Sequence, residues 1–142
     1  MDLNVNLNLD DLREFLEEMS KIQRACPNTI NTKRLVLLKK ETPDCISTKY
    51  SILLKETEQE IGNVILINDG EIWYKVYKPF QRNGYATEAV ARVIDEVKTD
   101  IEFYLSINSK NKVSRKVAKK LGFACKRRIW HEGEITMIFQ KR

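Results

Sequence analysis

Cysteine is scarce in this chain of 142 residues: Cys26, Cys45 and Cys125 are the whole complement, and no two stand in a Cys-x-x-Cys pair. An odd, widely spaced set excludes a disulfide framework and suggests no thiolate metal site, so reduced thiols and no metal are expected. Histidine is scarcer still. The sole one, His131, falls beside an expected hairpin turn, where an exposed surface role suits it better than catalysis. No apolar run approaches the roughly 20 residues of a membrane-spanning helix, so no membrane partner is expected. Near the N-terminus stand Asp2 and alternating Asn, where a secretory signal would carry positive charge and an apolar block. A cytoplasmic location follows as the expectation. Repeats, low-complexity tracts and linkers are also missing, and 42% hydrophobic content over this length suits one domain across 1–142. Positive charge is in excess. A formal charge of +5 favours anionic partners, and by itself leaves nucleic acid, a polyanionic cosubstrate and an acidic substrate all open.

The most informative segment is 81–88, QRNGYATE, which runs straight into the apolar-periodic residues Ala89, Val90, Val93, Ile94 and Val97. Gly84 can take positive φ and approach a ligand closely, and the helix that opens after it has first-turn N–H groups without an internal partner. Several backbone donors at the positive end of a helix suit a pyrophosphate.

Upstream, Asp10 or Asp11 can cap a helix over about 10–25 in which Leu12, Phe15, Leu16, Met19 and Ile22 form one apolar stripe that should pack on something. Before it, Leu3, Val5, Leu7 and Leu9 alternate with Asn in a strand-like arm. Residues 35–38, 50–54 and 61–67 read as strands separated by turn formers such as Thr42-Pro43-Asp44. The tight turn Asn68-Asp69-Gly70 leads to a fourth strand over 72–77, which stops before Pro79. The helix over about 86–97 then leads to a strand over 101–107. This β-α-β unit should be parallel and right-handed, with the Gly84 loop at the carboxyl end of its first strand. A helix from about Lys112 ends at Gly122, and 129–131 with 135–139 make a terminal hairpin.

The string PFQRNGYATEAV followed after a strand by NKVSRKVAKKLGF resembles the GNAT superfamily of acetyl-CoA-dependent N-acetyltransferases, most closely the branch that acetylates the N-termini of ribosomal proteins. Gln81, Gly84 and Ala86 match its first motif, and Asn111, Ser114, Leu121, Gly122 and Phe123 match its second. The resemblance implies a mixed α/β fold. A mostly antiparallel central sheet of about six or seven strands, flanked by helices, would contain a parallel pair, 72–77 and 101–107, splayed around the coenzyme. It also implies acetyl-CoA as cosubstrate, an amine acceptor as the other partner, no metal, and a homodimer as one possible assembly. The pyrophosphate would be held by main-chain amides of Arg82, Asn83, Gly84, Tyr85, Ala86 and Thr87, in the loop that Gln81 opens. The pantetheine arm would lie along Val76 and Tyr77, with Asn111 bonding it from the facing side. For proton transfer the resemblance nominates Ser114 as donor, because the position where many relatives carry Tyr is Ala118, and Glu71 as base, with water as its rival. Lys112, Arg115 and Lys116 would add attraction for phosphates.

Each nominated residue also has a plain structural use: Asn111 as a helix cap, Ser114 as a surface helix residue, Glu71 as a solvated turn-flanking carboxylate. The resemblance also places one or two helices between the first two strands, but here only about a dozen residues, 39–49, separate them, so either the N-terminal helix takes their place or the groove is more open. An open acceptor groove suits a protein terminus or lysine; a closed one suits an amino sugar, polyamine or amino acid. The rival class is a non-catalytic basic module binding RNA or ribosomes. Nucleic acid is disfavoured because the chain lacks the aromatic and basic interleaving of common RNA modules.

Overall fold

In the computed structural model, which describes residues 8–42 and 46–141, Asn8 starts the first helix. Its side chain accepts from the Asp11 N–H at 2.8 Å, satisfying one donor that a helix start leaves open. Asp10 and Asp11, expected as caps, instead occupy the first turn of α1 (Leu9–Met19), where carboxylates still favour the positive end. Ser20 ends α1 and α2 (Lys21–Ala25) follows, so the one helix expected over 10–25 is two. Pro27 holds Cys26 in an extended conformation and stops α2. The Leu3, Val5 and Leu7 alternation, the Pro43-Asp44 turn and Cys45 lie outside the described residues; Leu9 belongs to α1.

Five strands then build an antiparallel sheet in chain order: β1 (Thr29–Asn31), β2 (Leu35–Lys40), β3 (Ser47–Leu54), β4 (Glu60–Ile67) and β5 (Ile72–Val76). After a short 3-10 turn, Lys78–Phe80, come α3 (Tyr85–Glu96), β6 (Tyr104–Asn108), α4 (Lys112–Lys120), β7 (Phe123–His131) and β8 (Glu134–Lys141). The last three strands form a second antiparallel sheet in the order β6-β8-β7. The two sheets meet at one parallel bridge, Glu71 with Tyr104. Above that bridge β5 and β6 diverge, so the splayed parallel pair is present. The eight described strands exceed the six or seven expected because β1, whose single apolar residue Ile30 sits between polar neighbours, becomes a strand only by pairing with β2. The start of β7 was hidden too. Its charged run 126–128 reads as loop, yet it pairs along β8 with an irregularity between Cys125 and Arg127 that absorbs the extra residue.

The core lies on one face of the large sheet. Leu35, Leu37, Tyr50, Ile52, Val64, Leu66 and Ile72 from the sheet join Ile22 of α2, Ala89, Val90 and Val93 of α3, and Ala118 of α4 in a single buried cluster. The expected stripe on α1 does not share it: Leu12, Phe15 and Leu16 are all exposed. On the opposite sheet face, Trp73 is 54% exposed and lies outside that cluster. No described helix is long and apolar enough to cross a membrane.

Candidate active site

Gly84 adopts φ 79° and caps α3 from the left-handed region, where a side chain would be strained. Arg82, two residues earlier, also has positive φ, 66°. Alternating handedness around Asn83 turns successive N–H groups toward one concavity. Among the described residues, none accepts from the main-chain N–H of Arg82, Asn83, Gly84, Tyr85, Ala86 or Thr87. These are the six donors that the family resemblance nominates for a pyrophosphate. Their number fits a doubly charged diphosphate, and no side-chain anion among the described residues occupies them.

The loop is fastened from within and from behind. The Asn83 amide donates to the Phe80 carbonyl at 3.0 Å and the Gln81 carbonyl at 3.1 Å. Behind it, Arg34 donates through Nη2 to the Asn83 carbonyl at 3.0 Å and stacks 4.4 Å from the centre of the Tyr85 ring. The same Arg34 donates through Nε to Glu88 at 2.7 Å, while the Arg34 N–H and the Thr32 hydroxyl donate to the other Glu88 oxygen at 3.0 and 2.6 Å. Burial alone would raise the Glu88 pKa, but the Thr32 hydroxyl and the N–H, guanidinium and charge of Arg34 together hold it below 4.5. Sequence reasoning missed Thr32, Arg34 and Glu88 as a unit. A Thr-x-Arg in a turn carries no periodic signal, and its carboxylate partner lies some fifty residues away.

The open edge of β5 supplies the second wall. The Tyr77 N–H donates to the Ile61 carbonyl at 2.8 Å and the Ile67 N–H to the Glu71 carbonyl at 2.8 Å, so odd residues of β5 address β4. By alternation, Tyr74 and Val76 turn their main chains toward the gap before β6. Val76, nominated for the pantetheine arm, has its main chain on this open edge. Tyr77, nominated with it, is not on that edge: its N–H is engaged with β4 and its carbonyl accepts from the Phe80 N–H at 2.9 Å, because strand pairing continues one residue past Val76. The Gln81 side chain donates to the Val76 carbonyl at 2.9 Å, which makes it a latch between loop and strand.

The facing wall is the start of α4. The Asn111 side-chain oxygen accepts from the Ser114 N–H at 3.1 Å, the expected cap, and leaves its amide NH2 without a partner among the described residues. Arg115 donates to the Ser109 carbonyl at 3.0 Å and so braces the β6 to α4 turn, while Lys112 and Lys116 are exposed at the rim. Ala118 is fully buried. The two nominated proton-transfer residues are not brought together. Ser114 sits on the helix side of the gap, whereas Glu71 lies at its closed foot, in the bridge to Tyr104, and shares the opposite sheet face with Trp73.

A domain model described as the acetyltransferase (GNAT) domain matches residues 5–124. The chain belongs to the GNAT acetyltransferase family. No curated protein matches it significantly. Solved structures with this fold include a GNAT-family acetyltransferase from Bordetella pertussis, 15% identical, at TM-score 0.67 over 82% of this chain and all of that one. The ribosomal-protein-S5-alanine acetyltransferase from Vibrio fischeri is 19% identical at TM-score 0.60, over 68% of this chain and 61% of that one. The microcin C7 self-immunity acetyltransferase, solved with acetyl-CoA and AMP, is 23% identical at TM-score 0.58, over 67% and 60%.

Proposed function

We propose that the protein transfers acetyl from acetyl-CoA to a primary amine by direct attack in a ternary complex. The observation that carries this reading is the set of six N–H groups from Arg82 to Thr87, without a partner among the described residues, at the mouth of the β5/β6 gap. The diphosphate would rest on them and the pantetheine arm would run along Val76, with the Asn111 amide opposite. A main-chain N–H of the β5 edge would then stabilise the charge that develops on the thioester carbonyl oxygen. A thioester is already activated, so alignment in the gap and proton management suffice for the rest.

The acceptor we assign is a protein N-terminus or lysine, in the manner of the ribosomal-protein branch. The short β2 to β3 connection and the exposure of Trp73 leave the sheet face opposite α3 accessible to a polypeptide end. Glu71 and Ser106 lie on that face and would border the arriving amine. Deprotonation falls to Glu71 or to water.

Thermal shift tests the donor and free-thiol release tests the acceptor. Acetyl-CoA should raise Tm at concentrations where ATP and RNA do not, and a peptide amine should release CoA thiol faster than spermidine or an amino sugar. Stabilisation by RNA instead of acetyl-CoA would replace this reading with a non-catalytic binding module.

A further inference from the structure

The face of the large sheet that turns away from α3 is poorly matched to water. Strand register puts Val36 beside Leu53, Leu38 beside Ser51, and Lys40 in one row with Lys49, Ile65 and Trp73. Val36, Leu38, Leu53 and Ile65 are half-buried, Trp73 is exposed, and none of the five joins the buried cluster. An antiparallel sheet with one solvated face normally alternates apolar inward and polar outward. Here apolar residues fill outward positions as well, while α2, α3 and α4 all pack on the other face. A contiguous apolar face left open in this way marks a docking surface.

Its charged groups define the cover that fits. Lys40 and Lys49 stand directly opposite each other on β2 and β3, and Lys75 lies on the same face. None of the three meets a carboxylate among the described residues, and like charges so placed repel until an anion arrives. The two carboxylates of this face, Glu60 and Glu71, stand at its margins, at the start of β4 and just before β5.

The complementary element is on the same chain. Along α1, Leu9, Leu12, Phe15 and Leu16 form an exposed apolar stripe, and the helix carries five carboxylates and one arginine. Asp10, Asp11, Glu14 and Glu17 have no ion-pair partner among the described residues. Eleven residues make α1 about 16 Å long, and the four strands from β2 to β5 span about 14 Å, so the helix matches the sheet it would cross. Its own sheet face is out of reach. Arg24 donates through Nη2 to the Glu17 carbonyl at 2.9 Å, Lys21 approaches Asp100 at 3.8 Å and Ile22 is buried in the core, which pins the end of α1 on the α3 side.

We propose that the protein forms a two-fold dimer in which α1 of each copy lies across the open sheet face of the other. The apolar stripe covers the apolar row, and the acidic flank meets Lys40, Lys49 and Lys75. A two-fold axis makes the contact reciprocal and closed, since each copy gives one helix and receives one. The acidic flank opposes an anionic lipid surface, the other common cover for such a helix. Because the stripe packs on little in its own copy, it contributes little to the fold of one copy and acts in association. The docking does not depend on acetyl transfer. Where that reading holds, the partner's helix walls the acceptor side beside Trp73 and leaves Glu71 and the gap open.

Sedimentation equilibrium of the full chain tests this. The wild type should have twice the 16.7 kDa mass of one copy. Phe15→Glu with Leu16→Glu, both at exposed positions, should halve the mass while circular dichroism still reports the native fold. Lys40→Glu with Lys49→Glu should also halve it. Mixed together, the two variants should recover a dimer weaker than the wild type, because one retains an intact face and the other an intact helix. A monomeric wild type overturns the proposal, and binding of that monomer to vesicles of phosphatidylcholine and phosphatidylglycerol would assign α1 to a membrane instead. A dimer that survives either pair of substitutions, or variants that do not pair when mixed, would overturn it as well. Stabilisation by acetyl-CoA, measured on the same samples, tests the acetyl-transfer reading separately.

Discussion

Arg34 shows how much of this site depends on single side chains that touch no reacting atom. It ties the Asn83 carbonyl, the Tyr85 ring and the Glu88 carboxylate into one support behind the loop. Arg34→Ala should leave the six donors in place but loosely held, raising the KM for acetyl-CoA about tenfold with a smaller effect on kcat, measured by initial rates. Glu88 gives a pH signature. Its pKa is lowered in the folded state, so its contribution is complete above the unfolded value near 4.5 and is lost as pH falls through the lower folded value. Glu88→Gln should therefore be less stable than wild type near neutral pH, by about 1–2 kcal/mol, with the gap closing on acidification below about pH 4.5, followed by denaturant melts. Gln81, Gly84 and Asn111 were legible as a motif because their roles depend on neighbours in sequence. Thr32 and Arg34 were not, because each acquires its partner only when distant segments meet.

Among the elements, α1 and α2 divide what periodicity alone treats as one helix. Ile22 of α2 is fully buried, whereas Phe15 of α1 is 56% exposed. Ile22→Ala should cost about 2–4 kcal/mol in chemical denaturation and Phe15→Ala about 0.5 kcal/mol or less. An apolar stripe marks a helix correctly, but it cannot report whether a surface exists to receive it. β4 supplies a sharper case. A Cβ on Gly62 would come within 2.0 Å of the Lys75 carbonyl oxygen, on the strand that carries Val76. Gly62→Ala should thus force β4 and β5 apart, costing about 2 kcal/mol or more and weakening acetyl-CoA stabilisation by more than the loss of Tm alone would suggest. The strands read over 61–67 and 72–77 were legible from alternation and the Asn68-Asp69-Gly70 turn, the second ending one residue earlier in the structure. The three residues of β1 and the charged half of β7 were not, since pairing, rather than composition, makes them strands.

For the whole molecule, the net charge of +5 should help draw a polyanionic donor toward the gap. Affinity for acetyl-CoA should fall by a few-fold between about 0.05 and 0.5 M salt, measured by titration calorimetry, and then level off, because fixed main-chain dipoles at short range are screened less than exposed lysines. Local chemistry in the sequence determined the glycine loop, the helices on either side of β6 and the order of most strands, since each depends on spacing, caps and turns within a few residues. The tertiary structure decided which main-chain donors remain free, which face of the sheet stays open, and where α1 fails to pack. Those are properties of contacts between segments far apart in the chain, and no local period encodes them.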